Sequence, residues 1–143
     1  MDKGIYCLMF QNTSCSLSVG RLGLRVFRAG WHIYVGSAQG PGGLKRVVRH
    51  IRFARTHPDN PTWHVDHLLL SDCFILRKVI CASTTSPLEC DLARLLGGTS
   101  VPDFGCSDCS CPSHLLFRTD DPSDEIGRAM AILGLFAMSK TII

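Results

Sequence analysis

Four potential metal ligands crowd into nine positions near the end of the chain: Cys106, Cys109, Cys111 and His114, spaced C-x2-C-x-C-x2-H. Thiolate and imidazole are the donors that zinc prefers. Structural zinc sites usually assemble two separated pairs, and a C-x-C pair spans a metal less comfortably than C-x2-C. A fourth donor could therefore come from Cys90 or His64. The same run also suits a loop fixed by hydrogen bonds from Asp108 and His114, with small buried cysteines around them.

A second set of residues suits phosphate chemistry. Nine Lys or Arg and no Asp or Glu lie between residues 3 and 58, while eleven of the twelve acids lie at or after Asp59. Such asymmetry places positive potential on the N-terminal half, as a polyphosphate-binding surface requires, although a solvated basic face has the same composition. Lys45, Arg46, Arg49, His50 and Arg52 fall together in LKRVVRHIR, and two tyrosines precede them in the glycine-bearing runs GIYCLMF and WHIYVGSA. Arginine suits a phosphate because its planar fork donates bidentately and stays charged. His64 and Asp66 alternate along an apparent strand and so share a face, which fits a common metal or phosphate contact or an ion pair.

These residues need a framework. At 143 residues, 45% hydrophobic and 19% charged, the chain fits one compact domain over 1–143 with a real core. The longest apolar stretch, AMAILGLFAM, is far short of the ~18 residues of a membrane span. MDKGIY lacks the pattern of a secretory signal. The expectation is a cytoplasmic protein with no membrane partner, in which eight cysteines serve ligation, catalysis or burial rather than disulfides.

The elements read as follows. Gly4–Phe10 is a buried strand, Leu17–Gly20 and Leu22–Phe27 form a hairpin, and Trp31–Val35 is a further strand. AQGPGG is a loop. Leu44, Val47, Val48, Ile51 and Ala54 then keep the helical period. WHVDHLLL reads as a strand or a strand entering a helix, and Phe74–Ala82 as another strand. SPLECDLARLLGG carries helix start and stop signals, with Ser86 as N-cap. A short strand at Leu115–Phe117 and a helix over Asp124–Met138 close the chain. Cys7, Cys15, Cys73 and Cys81 fall in strand-like runs and are expected in the core. The fold class is α/β, a small mixed, mainly antiparallel sheet flanked by helices.

Gly4-Ile5-Tyr6 and Tyr34-Val35-Gly36, followed by Ser37-Ala38, a short loop and the K-R-x-x-R-H helix, resemble the GIY-YIG nuclease family. The inserted hairpin CSLSVGRLGLRVF, the segment Trp63-His64-Val65-Asp66 and the run Ser107-Asp108-Cys109-Ser110-Cys111-Pro112-Ser113-His114-Leu115 resemble a divergent subfamily of it. Some members are joined to DNA-repair glycosylases. The resemblance implies a GIY-YIG-like fold and metal-dependent phosphodiester hydrolysis of nucleic acid, with DNA favoured and a DNA-repair protein as a partner.

The resemblance also implies roles. Glu89, the sole glutamate before residue 124, would hold Mg2+ or Mn2+, and Arg46 would pair with the scissile phosphate. Tyr6 would activate or orient water, with Tyr34 as its partner and His50 as a proton relay. A free phenol, with pKa ~10, is a poor base at neutral pH, so a nearby cation should lower it. Gly36, Ser37, Lys45, Arg49, Arg52 and His64 are the candidate nucleic-acid contacts. Asp108, Cys109, Cys111 and His114 would hold zinc or complete the centre. The competing readings are a nucleic-acid-binding module of the same fold without turnover, and a zinc or redox protein using the Cys/His loop.

Overall fold

The computed structural model describes residues 2–58, 60–104, 111 and 113–142. Its centre is strand β1, Gly4–Asn12, in which seven consecutive residues from Gly4 to Phe10 are buried. A strand buried on both faces reads as a continuous apolar run. Antiparallel to it lie β4, Gly30–Ala38, and β5, Phe74–Ser83, one on each side. The edges are β6, Leu115–Arg118, beside β4 and β7, Met138–Thr141, beside β5. Every pairing in this five-stranded sheet is antiparallel, which corrects the expectation of a mixed one. The inserted hairpin forms its own ribbon, β2, Cys15–Ser18, with β3, Leu24–Phe27.

Alternation along β1 sorts the core into two layers. Tyr6, Leu8 and Phe10 point to one face, where they meet α1, Lys45–Thr56, and α2, His64–Leu69, through Ile51, Phe53, Val65 and Leu68. Ile5, Cys7 and Met9 point to the other, against α3, Glu89–Leu96, and α4, Ser123–Ile132, through Leu92, Ala93, Ile126 and Met130. The result is a small α/β arrangement with helices on both faces of an antiparallel sheet.

Several expectations need correction. Residues 64–69 are helical, so His64 and Asp66 do not share a strand face. Val65, Leu68 and Leu69 fall at the helical spacing, and Asp66 accepts from the Thr62 and Trp63 amides at the helix start. The third helix starts at Glu89 with Leu88 as its N-cap, two residues after Ser86. The last helix stops at Ile132: Gly134 has φ 76°, its amide reaches Ala131 and the Leu135 amide reaches Met130, a Schellman ending. The chain beyond returns as edge strand β7. Cys15 and Cys73, expected as separate core residues, are joined in a disulfide. Cys7 is buried and unbonded, as expected.

Candidate functional site

The β1–β4 register sets Tyr6 opposite Gly36 and Leu8 opposite Tyr34. Both phenols therefore lie on the face that α1 covers, with ring centroids 6.5 Å apart. A Cβ at position 36 would run into the ring and hydroxyl of Tyr6. Glycine stands there because the phenol lies across its strand. The glycine pair Gly42 and Gly43, with φ 87° and 55°, then turns the chain from β4 into α1.

One turn apart on α1, Arg46 and His50 project towards these tyrosines. His50 is fully buried and its Nε2 lies 2.8 Å from the Tyr6 hydroxyl. Its Nδ1 is buried and has no hydrogen-bond partner among the described residues. An orphaned buried nitrogen costs about 1–3 kcal/mol. Arg46 donates from Nη1 to the Ser37 carbonyl at 2.9 Å, and among the described residues no carboxylate forms an ion pair with it. Glu89, half-buried in the first turn of α3, acts electrostatically on both tyrosines.

The electrostatics oppose one expectation. Burial holds the Tyr6 pKa well above its usual value, with Tyr34 and Glu89 adding to the rise, and the charge and hydrogen bonding of Arg46 only partly offset them. Burial, with Glu89 next, pushes Tyr34 up to about 12. Burial lowers His50 to about 3, helped by Arg49 and Arg46 and opposed by Asp66. At neutral pH both phenols are protonated and the imidazole is neutral. Cations lie nearby, as expected, but they do not make Tyr6 a free phenolate, because desolvation outweighs them.

Asp66 and Arg49 form the frame around this centre. The carboxylate, at 0% side-chain exposure, accepts Nη1 and Nη2 of Arg49 at 2.8 and 2.9 Å and the amides of Thr62 and Trp63 at 2.7 and 3.0 Å. Arg49, one of the candidate nucleic-acid contacts, is thus paired with a carboxylate. Trp63, the N-cap of α2, stays 36% exposed. The guanidinium carbons of Arg49 and Arg46 lie 4.0 and 4.8 Å from its ring, and His50 meets it edge-on at 5.8 Å.

The remaining candidates are more dispersed. Lys45 and Arg52 are exposed on α1. His64 packs against Phe104, with ring centroids 5.8 Å apart, and burial, then His67, lowers its pKa. Gly36 is buried, and Ser37 contributes its carbonyl to Arg46. Trp63 carries the signature of an aromatic beside basic residues, a signal overlooked because Trp63-His64 reads as the start of a strand.

A second cluster forms where α3 meets the segment before β6. Cys90, Cys111 and His114 bring Sγ, Sγ and Nε2 within 4.8 Å of one another. His114 Nε2 lies 2.7 Å from the Cys111 sulfur and 3.5 Å from that of Cys90. His114 and Cys111 are buried, and the backbone of His114 is anchored to the Phe104 carbonyl and to the Val35 amide of β4. Three soft donors leave one position of a tetrahedral zinc for a fourth donor or water. In the structure the two sulfurs are joined in a disulfide, against the expectation of reduced cysteines, so ligation by both thiolates requires its reduction. Cys106, Asp108 and Cys109 lie outside the described residues. No described helix is long and apolar enough to cross a membrane.

Residues 5–135 match a family model described as a domain of unknown function, DUF123. No curated protein and no solved structure matches the chain.

Proposed function

The chain belongs to the family described as domain of unknown function DUF123, and from that footing we propose a metal-binding protein directed at nucleic acid, with a zinc-class ion held by Cys90, Cys111 and His114. The observation that carries this reading is the convergence of three soft donors, two of them buried, from α3 and the segment before β6. Burial and the backbone anchoring of His114 supply the orientation that metal-ligating imidazoles need. The nine cations between residues 3 and 58 supply the field for a polyanion. The test is elemental analysis of protein purified under a thiol reductant. About one zinc per chain is expected, lost in Cys111→Ser and in His114→Ala; a reduced, folded wild type that binds no zinc overturns the reading.

A second reading is favoured by the Tyr6–His50 hydrogen bond with Arg46 alongside. It is GIY-YIG-like hydrolysis of a phosphodiester, with DNA as the preferred substrate. Glu89 fits as the holder of a hard cation: it opens α3 and its field reaches both phenols, and a single carboxylate suits an ion that keeps most of its water. Bound there, Mg2+ would stabilise charge on the phosphoryl oxygens.

The chain's own residues would do the rest. Arg46 would exchange the Ser37 carbonyl for a non-bridging phosphate oxygen. Tyr6 would take a proton from the attacking water as its own proton passes to His50 Nε2. The phosphate pairing with Arg46 would remove a charge that suppresses protonation of His50, making the imidazole a better acceptor when substrate is present. Water oxygen forms the new bond to phosphorus, and the leaving alkoxide departs with a proton from solvent. Cleavage of labelled DNA that needs Mg2+ and is lost in Glu89→Ala and Arg46→Ala is the expected result. Cutting that persists in both variants would sink this second reading.

A further inference from the structure

We infer that Trp63 is a stacking platform for an unpaired nucleobase, placed so that Arg46 takes the adjoining phosphate. The inference rests on the nucleic-acid-directed reading of the site and adds the structural class of its ligand.

The indole is more than a third exposed, yet it is held firmly. Its backbone amide is bonded to Asp66, whose carboxylate is saturated by four donors. A fully buried carboxylate is a poor source of net stability. What this one provides is position: it fixes the start of α2 and, through Arg49, the cation packed on the indole. Arg46, the other guanidinium over the ring, is not matched to a carboxylate among the described residues.

Base and phosphate of one nucleotide are separated by a single sugar. An aromatic and an arginine in contact can therefore read both parts of the same residue. When Arg46 moves to a phosphate it uncovers the ring surface it had occupied, which a base can then take. Stacking on tryptophan requires an open base face. Bases within a duplex cover one another, so the platform selects single strands, strand ends or a nucleotide swung out of the helix.

The test compares two single-stranded probes of equal charge: a twelve-nucleotide oligothymidylate and a twelve-unit abasic strand with the same phosphates. Wild type should bind the thymidylate about tenfold more tightly, within the range that one stacked base contributes. Trp63→Ala should bind both at the abasic level, Trp63→Phe should keep part of the preference, and Arg46→Ala should weaken both probes alike. In a Trp31→Phe background, leaving Trp63 as the sole indole, the thymidylate should quench its fluorescence and the abasic strand should not. Circular dichroism checks that each variant is folded. A wild-type preference that survives in folded Trp63→Ala and Trp63→Phe overturns the platform while leaving the nucleic-acid reading intact. Failure of wild type to bind either probe overturns both.

Discussion

Asp66 and Arg49 meet through both carboxylate oxygens and both terminal guanidinium nitrogens, on a carboxylate wholly removed from solvent. Asp66→Asn should therefore destabilise the fold by about 3 kcal/mol, since removing one partner leaves the other without compensation. Burial raises the Asp66 pKa, but Arg49 and the Trp63 and Thr62 amides more than reverse this, so it lies below the usual value. A carboxyl whose folded pKa is depressed contributes stability above its unfolded pKa. That contribution disappears as pH falls through the folded pKa. Urea denaturation of wild type and Asp66→Asn from pH 7 down to pH 2 should show the gap between them closing at the acid end.

Neutral buried histidines act over a higher window. His50 and His32 are lowered by burial to about 3 and about 4, whereas unfolded histidine titrates near ~6.5. Between these values the unfolded chain binds protons that the folded chain refuses, so stability rises with pH there. Each histidine should contribute a slope of up to about 1.4 kcal/mol per pH unit between pH 4 and pH 6. His50→Gln should flatten the measured slope by up to about 1.4 kcal/mol per pH unit. An imidazole NMR signal of His50 titrating near pH 6.5 would contradict the buried neutral state.

The contact between Gly36 and Tyr6 can be tested by a double-mutant cycle. Gly36→Ala alone should lose about 1–3 kcal/mol, because its methyl group would overlap the phenol. In a Tyr6→Ala background the same substitution should lose much less, and the difference measures the coupling. Equal losses in both backgrounds would mean that the β1–β4 register differs from the one described.

Tyr6→Phe separates binding from chemistry. The phenol is buried, so its removal should leave DNA affinity within about twofold while reducing cleavage by about 10²- to 10⁴-fold, the range for loss of a positioned proton-transfer group. Retention of full cleavage by the folded variant would remove Tyr6 from the proton path.

Zinc and oxidation should compete for Cys90 and Cys111. Treating reduced, zinc-loaded protein with oxidised glutathione should release the ion: the two zinc-bound thiolates give two electrons to the glutathione disulfide and form their own disulfide, while the two glutathione thiolates set free take up two protons from solvent. A colorimetric zinc chelator measures the release. Cys90→Ser should bind zinc more weakly, and its remaining ion should be insensitive to closure of this disulfide.

Much of this arrangement is legible in the residues themselves. The apolar run from Gly4 to Phe10 and the helical spacing from Leu44 to Ala54 give β1 and α1 directly, because each follows one period over several residues. Cys90 is legible as a donor to the Cys/His run, although it lies twenty-one residues before Cys111. The short elements are less legible. In WHVDHLLL six helical residues are too few to separate a period of two from one of 3.6, and the deciding carboxylate bonds are tertiary. Edge strand β7, fully exposed, has no apolar alternation to betray it. The protonation of Tyr6 is likewise invisible in the sequence, since nearby cations can be guessed from composition but the desolvation that outweighs them requires the packed sheet.

The Cys15–Cys73 link closes a ring of chain with a sequence separation of 58. On loop-entropy grounds that constraint contributes about 4 kcal/mol against unfolding. It also divides the candidate site by covalent topology: Tyr34, Arg46, His50, Trp63 and Asp66 lie inside the ring, while Tyr6 and Glu89 lie outside it. A single protease nick between α1 and α2 would leave one molecule on a non-reducing gel and two fragments after reduction. Arg46 and Trp63, though on opposite sides of that cut, would remain on the same covalent tether.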